Sequence, residues 1–253
     1  MIPETDGEII FLDEVDSTNT YVRDRFDELS DLTLVVADRQ TAGRGRLGRK
    51  WLSPSGLNFY GTFCFKSVRD GFHAGLLCGV ALMRTLREAA PEVDCYLKWP
   101  NDVYAGKAKL AGLLGEGVLR QRKIAGIAFG IGININMTPE YFAGLDQRAT
   151  SLKIASGRDF DVVFIAKLLA KSLKRCYINH SDSFDGIFSE WRRANRLIGR
   201  SIVLISADGR RYEGIFRDVT GTGELLLEYV RPDGSTAVKA FNCGDVSIEK
   251  SSI

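Results

Sequence analysis

Residues 40–51 read Gln-Thr-Ala-Gly-Arg-Gly-Arg-Leu-Gly-Arg-Lys-Trp and combine three glycines, four cationic side chains and a terminal tryptophan. From Arg39 to Arg69 the chain carries seven Lys or Arg and no Asp or Glu, although its net charge is only +2. Glycines let a backbone approach a ligand closely, and arginines supply planar forks for phosphate or carboxylate. The run therefore predicts a site for an anionic ligand with a flat ring, and a nucleotide is the obvious candidate.

Two familiar phosphate-binding motifs do not fit this run. Gly43-x-Gly45-x-x-Gly48 matches the dinucleotide fingerprint, but that fingerprint needs a helix at the third glycine and an acidic residue about twenty positions on. Turn residues follow instead, and only Asp70 comes near the acidic position. A P-loop is excluded because no Gly-Lys-Ser/Thr closes the run. A solvated basic loop or a nucleic-acid patch remains an alternative at this point.

Composition places the chain among ordinary soluble proteins. It has 253 residues, 45% of them hydrophobic and 26% charged, which is enough for a large domain and a small one. No apolar run reaches the length of a membrane span, and residues 1–6 do not form a signal peptide. Five cysteines without a Cys-x-x-Cys pair, and only two histidines, favour reduced thiols over a zinc site. We therefore expect a cytoplasmic protein with no membrane partner.

Hydrophobic patterns predict the elements that position the run. The predicted strands are residues 8–12, 32–37, 58–65, 95–99 and 124–134, and the predicted helices are residues 72–90, 160–178 and 184–194. A further helix should follow residues 16–19 with Val22, Phe26 and Leu29 on one face. Capping of that helix is by itself a sufficient explanation for the polar residues before it.

A predicted hairpin carries Lys98 on one arm and Lys107 and Lys109 on the other. Exposed hairpin lysines usually serve solubility rather than catalysis, but Lys109 flanks a very apolar segment and is the hardest of the three to dismiss as surface alone. Asn134 ends the glycine-rich strand at residues 124–134, where a turn asparagine is the simpler interpretation.

From residue 198 onward the sequence pattern predicts short strands separated by glycine-containing turns. The predicted strands are Ile202–Ser206, Tyr212–Val219, Leu225–Tyr229, Val238–Phe241 and Val246–Glu249. Their spacing is typical of a small antiparallel barrel. From residue 196 onward the chain has eight basic and eight acidic residues, so this part lacks the cationic footprint of a nucleic-acid module.

Taken together, the motifs resemble the biotin protein ligases. They are Ser17-Thr18-Asn19, the GRGRxGRxW pattern within residues 40–51, Lys98-Trp99-Pro100-Asn101-Asp102, Lys109-Leu110-Ala111-Gly112 and Gly132-Ile133-Asn134. Their order follows the family from near residue 8 to the C-terminus. The GRGRxGRxW run together with the KWPND motif is highly specific, whereas Ser-Thr-Asn or Gly-Ile-Asn alone would be weak.

The resemblance implies an α/β (α+β) fold: a mixed sheet like that of class II aminoacyl-tRNA synthetases, with helices, and a C-terminal SH3-like β-barrel. The expected domains are residues 1–195 for catalysis and 196–253 for the barrel. The implied reaction uses Mg²⁺ and ATP to convert biotin into biotinyl-5′-adenylate and pyrophosphate. Biotin then passes to one lysine of a biotin carboxyl carrier protein.

The resemblance also implies roles for residues. The expected biotin or acyl-phosphate contacts are Ser17, Thr18, Asn19, Gln40, Gly43, Arg44, Lys109 and Gly112. The expected ATP contacts are Arg46, Arg49, Trp51, Lys98, Asn101 and Asn134, with Trp51 packing on adenine. The expected catalytic residues are Lys109, Arg44, Arg46 and Asp102; no protein metal ligand is expected, since ATP carries the Mg²⁺. As a hypothesis, Asp102 orients Lys98 or the incoming lysine amine.

Two departures from the family pattern and three alternatives accompany these expectations. Few residues precede the first predicted strand, so we expect a ligase without the N-terminal DNA-binding domain and repressor function of some members. Leu47 stands where the family can carry a further arginine.

The alternatives are a lipoate or octanoate ligase or transferase on the same fold, a nucleic-acid adaptor, and an inactive binding module. Monomers and homodimers are both allowed.

Overall fold

The computed structural model describes residues 8–68, 70–145, 147–180 and 184–248, so the predicted strand end at Glu249 lies outside the described residues. A seven-stranded sheet dominates the fold. Its strands are β1 (Ile9–Val15), β2 (Leu34–Gln40), β3 (Phe59–Phe65), β4 (Cys95–Lys98), β5 (Asp102–Ala105), β6 (Ala108–Arg120) and β7 (Lys123–Ile133). The order is β1-β2-β3-β7-β6-β5-β4, and β1 and β2 are parallel while the other pairs are antiparallel. The predicted mixed sheet is confirmed.

Five α-helices flank this sheet within the described residues. They are α1 (Thr18–Asp24), α2 (Gly71–Ala89), α3 (Leu152–Ser156), α4 (Val162–His180) and α5 (Phe184–Ala194). The apolar stripes of α2, α4 and α5 join the main core cluster, as their hydrophobic spacing predicts. In the part of the chain that the structure describes, no helix is both long and apolar enough to span a membrane.

The prediction for the first helix is wrong at its C-terminal end. Helix α1 ends at Asp24, and Arg25 leaves the helical region at φ −103° and ψ 18°. Phe26 and Leu29 nevertheless share a small buried cluster with Val22. Burial against the sheet, rather than a continuing helix, accounts for the spacing of these apolar residues.

The glycines of β7 permit close approach from its neighbours. A Cβ at Gly126 would lie 2.1 Å from the Phe65 carbonyl oxygen, and one at Gly130 would lie 2.3 Å from Asn19 Oδ1. A larger side chain at either glycine would therefore displace the Phe65 carbonyl group or the Asn19 side chain from β7. The predicted close approach at this central strand is confirmed.

The C-terminal part forms a five-stranded antiparallel sheet. Its strands are β8 (Ser201–Ile205), β9 (Arg211–Val219), β10 (Leu225–Val230), β11 (Thr236–Phe241) and β12 (Asp245–Ile248), in the order β11-β10-β9-β8-β12. All five predicted strands occur. No pairing joins the edge strands β11 and β12 among the described residues, so closure into a barrel stays a prediction.

The two sheets share one apolar core and several direct links. Buried residues of both sheets belong to a single hydrophobic cluster. The Trp99 indole, just after β4, donates to the Gly223 carbonyl oxygen between β9 and β10 at 2.9 Å, and Arg192 of α5 forms an ion pair with Asp218 of β9. The expected boundary between residues 195 and 196 stays a prediction.

Candidate active site

The glycine- and arginine-rich run forms a closed hairpin loop. Gly45 N–H donates to the Arg49 carbonyl oxygen at 2.7 Å, and Trp51 N–H donates to Gly43 O at 2.9 Å. At its tip, a 3-10 turn carries Leu47 at φ 54°, with that side chain 81% exposed. These two hydrogen bonds join the arms of the hairpin and fix the backbone that carries the arginines.

Glycine is required at position 43 because the loop passes very close to its own base. A Cβ there would lie 2.6 Å from the Trp51 carbonyl oxygen and 2.7 Å from Ser53 Oγ. Gln40 Nε2 donates to the same Ser53 hydroxyl at 3.0 Å. Gly43 is thus buried at the point where the two ends of the loop meet.

The Trp51 indole covers a pair of glycines that we call the glycine ledge, Gly112 of β6 and Gly132 of β7. These two residues face each other in the strand register. A Cβ at Gly132 would lie 2.5 Å from Trp51 Cε2, and one at Gly112 would lie 3.0 Å from Cζ3. Trp51 Nε1 is buried and has no hydrogen-bond partner among the described residues. A buried donor of this kind favours a ligand that brings an acceptor to it.

Lys109 lies beside this ledge and forms an ion pair. Its Nζ is 2.6 Å from Asp102 Oδ1 and 5.4 Å from the centroid of the Trp51 ring. Lys98 Nζ donates instead to the hydroxyl of Tyr104 at 3.1 Å. Burial lowers the pKa of Lys98, and the carboxylates of Asp102 and, more weakly, Asp245 oppose that effect. The direct partner of Asp102 is therefore Lys109 and not Lys98.

Arg46 connects the loop to the KWPND turn. Its Nη1 donates to Asn101 Oδ1 at 3.0 Å, and Asn101 Nδ2 donates to the Leu113 carbonyl oxygen at 2.8 Å. Leu113 follows Gly112 directly in β6. The structure thus brings the loop, the turn and the Lys109–Gly112 segment together, as the motifs predict.

Ser17 and Thr18 lie at the base of the same loop. Ser17 is the N-cap of α1, but its side chain makes no capping hydrogen bond, so capping alone does not explain the residue. Thr18 N–H and Oγ1 both donate to Gln40 Oε1, at 2.9 Å and 3.2 Å. Three predicted biotin contacts therefore occupy one polar corner.

Asn19 is tied into the protein rather than turned to open space. It accepts a hydrogen bond from Thr62 Oγ1 at 2.7 Å and donates to Glu116 Oε2 at 2.8 Å. Glu116 also binds Arg44 at 3.1 Å and lies 3.6 Å from Arg23. The expected biotin contact of Asn19 stays a prediction, and this structure gives the residue a supporting position.

Thr62, Ser53 and Glu116 are site residues that sequence reasoning missed. Thr62 is fully buried in a strand of otherwise apolar residues, and Ser53 lies among turn residues, so neither has a local signal. Glu116 offered one signal, because it is the only Asp or Glu between Asp102 and Glu140.

Two residues that are expected to contact ATP, Arg49 and Asn134, bind other groups of the protein. Arg49 Nη2 forms an ion pair with Asp245 Oδ2 of β12 at 2.7 Å. The Asn134 side chain is buried and donates to the Thr150 carbonyl oxygen at 3.0 Å. The nucleotide contacts of both residues stay predictions.

Comparisons with known proteins agree with this geometry. Residues 11–134 match the model of the biotin/lipoate A/B protein ligase family. The bifunctional ligase/repressor BirA of Escherichia coli (strain K12) is 32% identical over 246 residues, covering 96% of this chain and 74% of that protein. The biotin–[acetyl-CoA-carboxylase] ligase of Paracoccus denitrificans is 31% identical over 225 residues, covering 85% of this chain and 92% of that protein.

A solved structure extends the similarity to the whole fold. The biotin protein ligase from Aquifex aeolicus in complex with biotin and ATP has a TM-score of 0.78 with this structure at 30% identity. The match covers 96% of this chain and 99% of that chain. Fold and site together define an α/β ligase with a glycine- and arginine-rich loop. The chain belongs to the biotin protein ligase family.

Proposed function

We propose that this enzyme activates biotin with ATP and transfers it to a lysine of a biotin carboxyl carrier protein or domain. In the first step a biotin carboxylate oxygen attacks the α-phosphorus, the bond to the β-phosphate bridging oxygen breaks, and pyrophosphate leaves. In the second step the neutral lysine amine attacks the acyl carbon. The bond to AMP then breaks, an amide forms, and the amine proton is released.

The observation that carries this proposal is the placement of three cations around the glycine- and arginine-rich loop and the glycine ledge. Lys109 lies beside Trp51, Arg46 reaches Asn101 next to the ledge, and Arg44 stands at the loop base. Both reactants of the first step are anions, so their approach depends on positioning and on fixed positive charge. Lys109, Arg44 and Arg46 supply that charge in this proposal.

The polar corner at the loop base suits the ureido ring of biotin. Ser17, Thr18, Gln40 and the backbone at Gly43 offer donors and acceptors within a small volume. An apolar ligand that carries one polar ring needs only a few such fixed groups. The acyl chain would then follow the glycine ledge towards Lys109.

Magnesium enters this proposal on the substrate. Among the described residues, no three His, Cys, Asp or Glu side chains lie close enough together to form a metal site. Magnesium at nucleotide sites is bound largely by substrate phosphates and water, with one or two carboxylates. Mg²⁺ carried by ATP would neutralise phosphate charge, and the residues named above would do the positioning.

The protein partner in this proposal is the biotin carrier of a biotin-dependent carboxylase. The reaction takes place in the cytoplasm, and the proposal includes no DNA partner. Among the described residues, edge strands β1 and β4 of the larger sheet have no partner strand on their outer side, although Leu97 of β4 bridges Asn195 there. An unpaired strand edge is a template for pairing with another chain. A homodimer of this ligase would use one of these edges.

Pyrophosphate exchange into ATP tests the first step. Purified protein with magnesium is assayed with biotin, with lipoate and with neither acid. Exchange that requires biotin is the expected result. Exchange that requires lipoate would support the same mechanism with a different substrate. Lipoate is included because the matching family model covers both biotin and lipoate ligases. No exchange with either acid would overturn the proposal.

A further inference from the structure

The ammonium group of Lys98 is held by a phenol rather than by a carboxylate. Its Nζ donates to Tyr104 OH at 3.1 Å and lies 4.5 Å from the centroid of that ring. Within the described residues, no Asp or Glu forms an ion pair with Lys98. Tyr104 is therefore the side chain that fixes where this charge lies.

Tyr104 also lies opposite the other site lysine. In the pairing of β5 with β6, Tyr104 faces Lys109 immediately after an irregularity in the register. Tyr104 is buried, with 7% of its surface exposed, so its position is fixed by packing. One tyrosine thus lies between the two lysines on which the site depends.

A second hydrogen bond joins Tyr104 to the segment that clasps Lys109. Gln147 Nε2 donates to Tyr104 OH at 2.5 Å. The next residues pair with the Lys109 backbone: Lys109 N–H donates to Arg148 O, and Thr150 N–H donates to Lys109 O, both at 2.9 Å. The Tyr104 hydroxyl therefore connects Lys98 with the segment that pairs with the backbone of Lys109.

We propose that Tyr104 is a positioning residue that holds the Lys98 ammonium where it meets a phosphate group of ATP. This inference rests on the proposed function, in which Lys98 contacts ATP. Lys98 has no ion-pair partner in the part of the chain that the structure describes, so an incoming polyanion finds a charge that is not already paired. Hydrogen bonds to charged groups are strong, and a fixed donor loses little freedom when the ligand binds.

The charges around Lys98 define the expected pH dependence. Burial lowers the pKa of Lys98 and so disfavours its charged form, while Asp102 of β5 and Asp245 of β12 favour that form. A phenol oxygen that accepts from the ammonium also favours the charged form. Loss of that oxygen should move the loss of the Lys98 proton to lower pH.

The test is Tyr104→Phe in the full chain, assayed by biotin-dependent pyrophosphate exchange over ATP concentration and pH. We expect kcat/KM for ATP to fall by about tenfold, as for loss of one hydrogen bond to a charged group. The KM for biotin should not change. The basic limb of the pH profile for ATP should move to lower pH.

Tyr96→Phe is the matched control. Tyr96 faces Tyr104 across the β4–β5 pair, with ring centroids 6.0 Å apart, but its hydroxyl donates to the Gly106 carbonyl oxygen at 2.9 Å. This variant should keep the exchange rate and the pH profile of the unmodified protein.

A double-mutant cycle with Lys98→Met separates positioning from a purely structural effect. If Tyr104 acts through Lys98, Tyr104→Phe has little further effect on kcat/KM for ATP in the Lys98→Met background. An undiminished loss in that background, or equal losses in the two tyrosine variants, would overturn the inference. Absence of biotin-dependent exchange in the unmodified protein would instead overturn the proposed function, before any variant is compared.

Discussion

At the scale of single residues, the charge of the loop is balanced by a carboxylate far away in the chain. Glu116 accepts from Arg44 at 3.1 Å and from Asn19 at 2.8 Å, and Arg44 also donates to Thr20 Oγ1 at 3.1 Å. The expected partner of Arg44 in the reaction is the acyl phosphate. Glu116 thus holds this arginine at the loop base.

Glu116→Gln should weaken biotin binding while leaving the fold intact. A glutamine cannot form the ion pair, so Arg44 loses its preferred position and the KM for biotin should rise about threefold to tenfold. Partly exposed ion pairs contribute only about 0–1 kcal/mol to stability, so the melting temperature should change little. Steady-state exchange kinetics and thermal unfolding measure the two effects.

Glu92→Gln is the control for Glu116→Gln. Glu92 forms a comparable pair with Arg158 at 2.8 Å, remote from the loop in its contacts. It should leave the KM for biotin unchanged. An unchanged KM in Glu116→Gln as well would show that Arg44 needs no carboxylate to hold it.

At the scale of secondary-structure elements, the register of β6 against β7 creates the surface on which Trp51 lies. Gly112 and Gly132 become neighbours only because the two strands pair in one register. A shift of one residue would place Ala111 or Leu113 opposite Gly132 in place of Gly112. The ledge is therefore a property of the strand pair and not of either motif.

Gly132→Ala should displace the Trp51 indole. The added Cβ would lie 2.5 Å from Cε2, and crowding of this kind costs about 1–3 kcal/mol. We expect a lower melting temperature and biotin binding weakened by at least about tenfold, since the loop base must move. Calorimetry and equilibrium binding give both values.

Gly117→Ala provides the comparison on the same hairpin. Gly117 lies in β6, and a Cβ there would meet nothing within 4 Å. Its melting temperature and biotin affinity should stay near those of the unmodified protein. Equal behaviour of the two alanine variants would contradict the role given to the ledge.

At the scale of the whole molecule, the two sheets are expected to unfold together. Buried residues of both sheets belong to the main core cluster, the Trp99–Gly223 hydrogen bond connects the two sheets, and Arg192 of α5 forms an ion pair with Asp218 of β9. Most of the buried apolar residues of the C-terminal sheet lie in this shared cluster. Cooperative unfolding is the usual consequence of such a core.

Leu225→Ala tests this expectation by calorimetry. Leu225 of β10 is fully buried, so its truncation should cost about 2–5 kcal/mol and lower a single transition of the entire chain. Leu226→Ala, at a half-buried position on the same strand, should have a smaller effect. Two separate transitions, with only one of them shifted, would show that the C-terminal sheet unfolds on its own.

The sequence by itself determined what is encoded locally. The spacing of apolar residues predicted helices α2, α4 and α5 and the five C-terminal strands, since periodicity reports which face of an element is buried. The loop was also readable, because its glycines and arginines are adjacent in the chain. The family followed from the same short motifs.

Only the tertiary structure decided which distant residues meet. Arg44 and Glu116 are 72 positions apart, and no local pattern pairs them. The sequence hypothesis gave Asp102 a role towards Lys98 or the incoming lysine amine, whereas its ion pair with Lys109 depends on the pairing of β5 with β6. Helix α1 stops at Asp24 although the apolar spacing continues. Such contacts depend on strand register and packing, which the chain fixes only when all of its elements come together.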